Sequence, residues 1–261
     1  MPLLARPGCD LHYELHGAGP PLVFAHGLGG CHLSWWQQLA HFAPRFTCVT
    51  FAARGFGPSH EPPGGPGPAA FTADLLALLD HLGLDSVALV AQSMGGWPAT
   101  EIAARHPERV RGLVLANSVG SFTHPELDAI FADFIARELP PPRGVHPAAG
   151  ARLAREQPAM HTLYSMLDAL SPALDKAALR RALIAGMTTP VDGLRVPLLC
   201  ITSDEDIVIS PDAVTWLAGH VPGATLHVEP RTGHSVYWER PAAFNRVVDE
   251  FLAASVYPRG A

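Results

Sequence analysis

The stretch Val87 to Gly96, V-A-L-V-A-Q-S-M-G-G, constrains this chain more than any other. Val87 to Ala91 are apolar or small without alternation, the pattern of a short strand buried on both faces in a parallel sheet. The chain then passes through Gln92-Ser93-Met94-Gly95-Gly96 into a helical run that ends near His106-Pro107. Pro98 suits the first turn of that helix, where a missing N–H costs no intrahelical bond. Ser93 therefore falls in a strand-to-helix turn, and its small neighbours Ala91, Gly95 and Gly96 permit a strained backbone with the helix packed close behind it. Such a turn pushes the hydroxyl out at the C-terminal edge of the sheet, beside the positive end of the helix dipole.

The remainder reads as further alternation of strand and helix. Strand patterns cover Asp10 to His16 (an edge strand), Pro21 to Ala25, Phe46 to Ala52, Val110 to Ala116, Val196 to Ile201 and Ala224 to Val228. Helical spacing covers Trp35 to Phe42, Phe71 to Leu82, a helix beginning at Ala213 to Leu217, and Pro241 to Ala253. Repeated alternation implies an α/β fold, a mostly parallel central sheet with helices on both faces. His60 to Ala70, dominated by proline and glycine, reads as a surface loop. From Ser121 to about Thr189 no strand pattern stands out; helical pieces at about Glu126 to Glu138, Pro147 to Arg155, Ala159 to Leu170 and Lys176 to Met187 are separated by prolines. The expected organisation is a core of residues 1–120 and 190–261 with a helical cap subdomain of residues 121–189. Trp97, beside the Ser93 turn, and Phe131, Phe134, Leu163, Tyr164, Met166 and Met187 in the cap are candidates for an apolar substrate pocket; packing between cap and sheet is the competing role for each.

A chain of 261 residues with 48% hydrophobic and 16% charged residues suits one globular domain with an insertion. Its net charge of −6, with no Lys- or Arg-rich stretch, argues against nucleic acid or an anionic membrane surface as partner. Cys9, Cys31, Cys48 and Cys200 are far apart and make no C-x-x-C pattern, so buried thiols are expected rather than disulfides or a zinc site. No secretory leader or membrane-length apolar run is visible, and a cytoplasmic location is the expectation. Nothing selects for or against a homodimer.

Strand ends carry the chemistry. Ser93 is a poor nucleophile until a base takes its proton, and an imidazole serves as base when its other nitrogen is held and its cation stabilised. The order Ser93, Asp206, His234 supplies these parts, each after an expected strand. His26-Gly27-Leu28-Gly29-Gly30 is a glycine-rich turn without the lysine of a P-loop or a G-x-G-x-x-G pattern, so it reads as a source of backbone N–H groups rather than a nucleotide site. The N–H groups of Leu28 and Met94 form the natural oxyanion pair. Three carboxylates, Asp204, Glu205 and Asp206, compete for the acid position, while Asn117 has no charge with which to replace them. Among the 14 histidines, His32, His60, His124 and His161 have no assigned role.

These segments resemble the α/β-hydrolase fold superfamily: H-G-L-G-G at His26 to Gly30, R-G-F-G-P-S at Arg54 to Ser59, Q-S-M-G-G at Gln92 to Gly96, S-D-E-D-I-V-I-S-P at Ser203 to Pro211, and Gly233-His234. The resemblance spans nearly the whole chain outside the cap. It implies an all-α cap inserted after the sixth strand and, by the spacing to Pro211, Asp206 as the acid. Two positions depart from the family pattern. Ala91 replaces the first glycine of G-x-S-x-G, and Ala52 replaces the aspartate usual two residues before Arg54, which leaves that arginine without its customary partner. A serine nucleophile disfavours the dehalogenase and epoxide hydrolase branches. The implied activity is hydrolysis of a carboxylic ester or similar small acyl substrate, with no metal or organic cofactor. The alternatives are a carbon–carbon bond hydrolase of a vinylogous diketone, an enol-lactonase, and a non-catalytic small-ligand binder on the same fold.

Overall fold

The computed structural model describes residues 2–137, 140–171 and 175–258. Eight strands form the main sheet: β1 (Leu3–Arg6), β2 (Cys9–His16), β3 (Pro21–Ala25), β4 (Thr47–Phe51), β5 (Val87–Gln92), β6 (Val110–Ala116), β9 (Leu198–Ser203) and β10 (Thr225–Glu229), with β7 (Phe122–Thr123) and β8 (Thr189–Pro190) paired separately. Their order is β1-β2-β4-β3-β5-β6-β9-β10. β2 runs antiparallel to both β1 and β4, and every pairing from β4 onward is parallel. The sheet is therefore mostly parallel, as expected, with β1 as an additional edge strand.

Strand β5 is central, and all its residues are buried. Val87, Leu89 and Ala91 enter a core beneath α2 (Phe71–His81), α3 (Gly96–Arg105) and α8 (Pro211–His220), whereas Ala88 and Val90 enter a second core beneath α1 (Trp36–Phe42) and α10 (Pro241–Phe251). Period-2 alternation with both faces apolar explains the uninterrupted run in the sequence. Leu75, Leu78 and Leu79 form the buried stripe of α2, and Phe244, Val247, Val248 and Phe251 that of α10.

Between β6 and β9 lie α4 (Pro125–Ala136), α5 (Ala151–Glu156), α6 (Pro158–Asp168) and α7 (Lys176–Ala185). Glu138, the expected end of the first of these, falls outside the described residues. Two differences from the sequence pattern occur here. The insertion is not wholly strandless, because β7 and β8 pair in parallel at its two ends, with the Ser121 and Thr189 hydroxyls 2.7 Å apart beside them. The run Pro147 to Arg155 is broken at Gly150, which has φ +68° and separates a 3-10 turn from α5. A β-carbon on Gly233 would approach the Cα of Gly150 to 2.8 Å, so both residues are small where the insertion meets the loop that carries His234. Among the described residues no helix is long and apolar enough to cross a membrane.

Arg54 finds a partner that the sequence pattern did not indicate. Its guanidinium donates to both Asp74 oxygens, at 2.7 and 3.0 Å, and to Glu61 Oε1 at 3.1 Å. Asp74, on α2, replaces the missing acid at position 52, and the paired fork holds the Arg54 loop against that helix.

Candidate active site

Ser93 follows β5 with φ +48°, a left-handed backbone that a residue bearing a β-carbon adopts at a cost of about 1–3 kcal/mol. The surroundings enforce it. A β-carbon on Gly95 would lie 2.4 Å from the Ala25 carbonyl oxygen, and one on Gly96 2.2 Å from Ser118 Oγ, so only glycine lets the turn sit this close to β3 and β6. The Ser118 hydroxyl donates to the Ser93 carbonyl at 2.8 Å and pins the turn from the end of β6. α3 then starts directly behind the serine.

His234, after β10, is 2% exposed, and its Nδ1 lies 2.8 Å from Asp206 Oδ2. The same Asp206 oxygen accepts from Asn117 Nδ2 at 3.0 Å, and Oδ1 accepts from the Val208 and Ile209 amides at 2.8 and 3.0 Å. This buried carboxylate is therefore served by backbone, amide and imidazole donors, which is what an ionised acid needs in a dry site. The rival carboxylates lie elsewhere: Asp204 accepts from the Thr232 amide, and Glu205 forms an ion pair with Arg152 at the surface. With Nδ1 turned to Asp206, the second ring nitrogen of His234 is free of that bond, and His234 and Ser93 line the same cavity.

The loop around His234 is fixed at several points. Ser203 Oγ donates to Gly233 O at 2.6 Å, and Gln92 Nε2 donates to His234 O at 3.3 Å. The amides of Gly233 and Ser235 both donate to Glu239, at 3.1 and 3.3 Å. Burial pushes the Glu239 carboxyl up to about 7, against the lowering effect of those amides. On the opposite side, His26 holds the turn that carries Leu28: its Nδ1 donates to Gly27 O at 2.8 Å, while Nε2 accepts from the Ala53 amide at 2.9 Å. Burial lowers this imidazole to about 4, so it is neutral at physiological pH.

Ser93, His234, Leu28 and Met94 share a cavity of about 570 Å³. Of the pocket candidates, Trp97, Phe131 and Tyr164 line it; Trp97 is fixed by an indole N–H bond to Leu183 O at 2.8 Å. Phe134, Leu163, Met166 and Met187 do not. Leu163 and Met166 are 38% and 63% exposed, and Phe134 is half-buried away from the cavity. The reason is helix phase. On α6 the inward residues are Tyr164 and Asp168, one turn apart, and a shift of one residue rotates a side chain by about 100°. On α4 the inward pair is Leu127 and Phe131.

Several lining residues carry polar groups where the composition of the insertion points to an apolar lining. His146 Nε2 lies 3.1 Å from Asp168 Oδ2, Lys176 forms an ion pair with the same carboxylate, and Arg180 lines the same cavity. Tyr164 is buried over the oxyanion turn, since a β-carbon on Gly29 would come within 3.2 Å of its ring and hydroxyl. Burial pushes the phenol up to about 12, so it stays protonated. Gln92 and Glu239 have no role in the sequence pattern, and Asn117 enters it only as an uncharged residue unable to replace the acid; their position at strand ends, or close after His234, is the available signal.

The fold and this arrangement of side chains define an alpha/beta hydrolase, and the chain belongs to the alpha/beta hydrolase fold family, whose pattern matches residues 20–141. Over 95% of its length it is 31% identical to 2-hydroxy-6-oxo-2,4-heptadienoate hydrolase of Pseudomonas putida, of which it covers 94%. It is 26% identical to 3-oxoadipate enol-lactonase 2 of Acinetobacter baylyi, covering 93% of this chain and 92% of that protein. The crystal structure of the enol-lactonase from Burkholderia xenovorans LB400 superposes with a TM-score of 0.77 at 26% identity, covering 97% of this chain and all of the other.

Proposed function

We propose that the protein is a serine hydrolase acting on a carboxylic ester or a closely related acyl compound. The observation that carries the reading is the Asp206–His234 hydrogen bond of 2.8 Å opening onto the cavity that Ser93 lines from a strained turn. In this mechanism His234 removes the Ser93 proton as the hydroxyl oxygen attacks the acyl carbon, and Asp206 stabilises the imidazolium. The Leu28 and Met94 amides bind the resulting oxyanion, the second aided by the dipole of α3. His234 then protonates the leaving alcohol. Water, activated by the same imidazole, releases the acid from Ser93. Each step uses only side chains, backbone amides and water.

A second reading is hydrolysis of a carbon–carbon bond in a vinylogous diketone, or of an enol-lactone. It is favoured by the relatives, which carry these activities by name, and by the charged wall of His146, Asp168, Lys176 and Arg180, which suits a substrate with a polar end. Hydrolysis of p-nitrophenyl esters of increasing chain length by wild type and Ser93→Ala tests the first reading. Turnover of short esters, lost by several orders of magnitude in the variant, supports it. Absence of ester turnover together with hydrolysis of a coloured dienolate moves the second reading ahead. Absence of both, with ligand binding that Ser93→Ala leaves intact, means a non-catalytic binder.

A further inference from the structure

Strand β2 carries His12, Glu14 and His16 at alternate positions, which places all three on one face of the sheet. Against that face packs the 3-10 turn His32–Trp35, which begins two residues after Gly30 of the oxyanion turn. The outcome is a cluster unrelated to the cavity. His12 Nε2 lies 3.7 Å and His32 Nε2 3.9 Å from Glu14 Oε1, and the two imidazole rings are 4.3 Å apart. His12 is fully buried and His32 is 5% exposed. Among the described residues, both ring nitrogens of His12 and Nδ1 of His32 have no hydrogen-bond partner. Thr50, which faces Glu14 across the strand pair, also has an unpartnered buried hydroxyl. Buried imidazole nitrogens are costly to leave unpaired, and three such atoms on two histidines packed beside one carboxylate demand an explanation.

We propose that His12, Glu14 and His32 form a binding site for a divalent transition-metal cation, zinc above all. Two neutral imidazoles and a carboxylate are a ligand set that zinc takes readily, with the fourth position left for water. One ligand atom from each residue lies within 4.8 Å of the others. Zinc bonds of about 2.0–2.2 Å put tetrahedral ligand atoms roughly 3.3–3.5 Å apart, so the two histidine–carboxylate distances of 3.7 and 3.9 Å need to tighten by a few tenths of an ångström. His16 Nε2, 3.1 Å from Glu14 Oε2, holds the carboxylate from its other oxygen, the arrangement that orients metal ligands from outside the coordination sphere. Burial, with the neighbouring His12 adding to it, lowers His32 to about 4, so its imidazole is unprotonated and able to ligate at neutral pH. The site sits away from the Ser93 chemistry and takes no part in it. Its effect is mechanical: a cation there ties β2 to the turn that follows Gly30 and steadies the segment bearing Leu28.

The test is titration of chelator-treated, dialysed protein with zinc chloride by calorimetry and with cobalt chloride by visible absorption. One cation per chain is expected, with the intense cobalt bands of a four-coordinate nitrogen and oxygen site and a rise in melting temperature. Glu14→Gln, whose side chain is partly exposed and outside the catalytic machinery, should weaken binding at least tenfold, as should His32→Gln. The wild-type cobalt spectrum needs no variant, so it decides the matter even if His32→Gln fails to fold. No saturable binding, a six-coordinate cobalt spectrum, or binding that Glu14→Gln leaves unchanged would overturn the proposal.

Discussion

Asp206 and Asp168 each hold a histidine that lines the same cavity, yet they are built differently. Asp206 is 4% exposed and takes its partners from the ends of core strands and its own loop: Asn117, His234 and two backbone amides. Asp168, whose side chain is 17% exposed, is served by His146 and Lys176, both on the helical insertion. Burial alone would raise the Asp168 carboxyl, but hydrogen bonds from His146 and Lys176 outweigh it and hold the group below its ordinary range. The first aspartate is fixed by residues that follow the ends of β6, β9 and β10. The second depends on helices of the insertion, which can change without disturbing the sheet. Under the proposed function, bond-breaking belongs to the first region and choice of substrate to the second.

The largest expected effect lies with Asp206. Asp206→Asn should lower kcat/KM about 10³–10⁴-fold, by removing the charge that stabilises the imidazolium and by changing its tautomer. The loss should be the same for every ester in a chain-length series. A loss confined to some substrates would break the division of labour.

A pH effect of the core comes next. Because burial pushes Glu239 up to about 7, the folded protein keeps a proton that the unfolded chain releases from about pH 4.5 upward. Stability from this group is therefore lost as pH rises towards 7, by on the order of 3 kcal/mol at most. His26, lowered to about 4, acts in the opposite direction: the unfolded chain binds the proton first as pH falls below about 6.5, so stability is lost on acidification. Urea unfolding from pH 4.5 to 8 for wild type and Glu239→Gln separates the two. The variant should lose the decline towards pH 7 and keep the acid limb.

Asn117→Gly should cost about 1–2 kcal/mol of stability in urea unfolding. Glycine tolerates the φ of 47° there, so the loss reports on the bonds to Asp206 and Ser203 rather than on backbone strain.

The smallest effect, and the sharpest for the comparison, belongs to the insertion. Asp168→Asn removes the counter-charge of Lys176. It should change kcat/KM for p-nitrophenyl acetate less than about threefold, while shifting preference towards an anionic ester such as p-nitrophenyl hemisuccinate by about tenfold, or roughly 1.4 kcal/mol. Equal loss on both substrates would place Asp168 in the bond-breaking machinery instead.

What the sequence disclosed follows the same divide. The Ser93 turn was legible because strand, serine and glycines are contiguous, and the surrounding packing tolerates no larger residues at Gly95 and Gly96. Asp206 could be set apart from Asp204 and Glu205 only through the family pattern, since the bond to His234 joins residues 28 positions apart. In the insertion, composition suggested apolar lining, but it could not fix the rotation of α6. One residue of phase decides between Leu163 in solvent and Tyr164 over the oxyanion turn. Asp74 as the partner of Arg54, and the meeting of His12 with His32, depend on long-range packing that no local pattern encodes.

The central claim, that Ser93 is an activated nucleophile, is tested most directly by a fluorophosphonate probe, with the adduct mapped by peptide mass spectrometry. One stoichiometric adduct is expected on Ser93, absent in Ser93→Ala and formed far more slowly in Asp206→Asn. No adduct on the folded wild-type protein, or an adduct on a different residue, would contradict it.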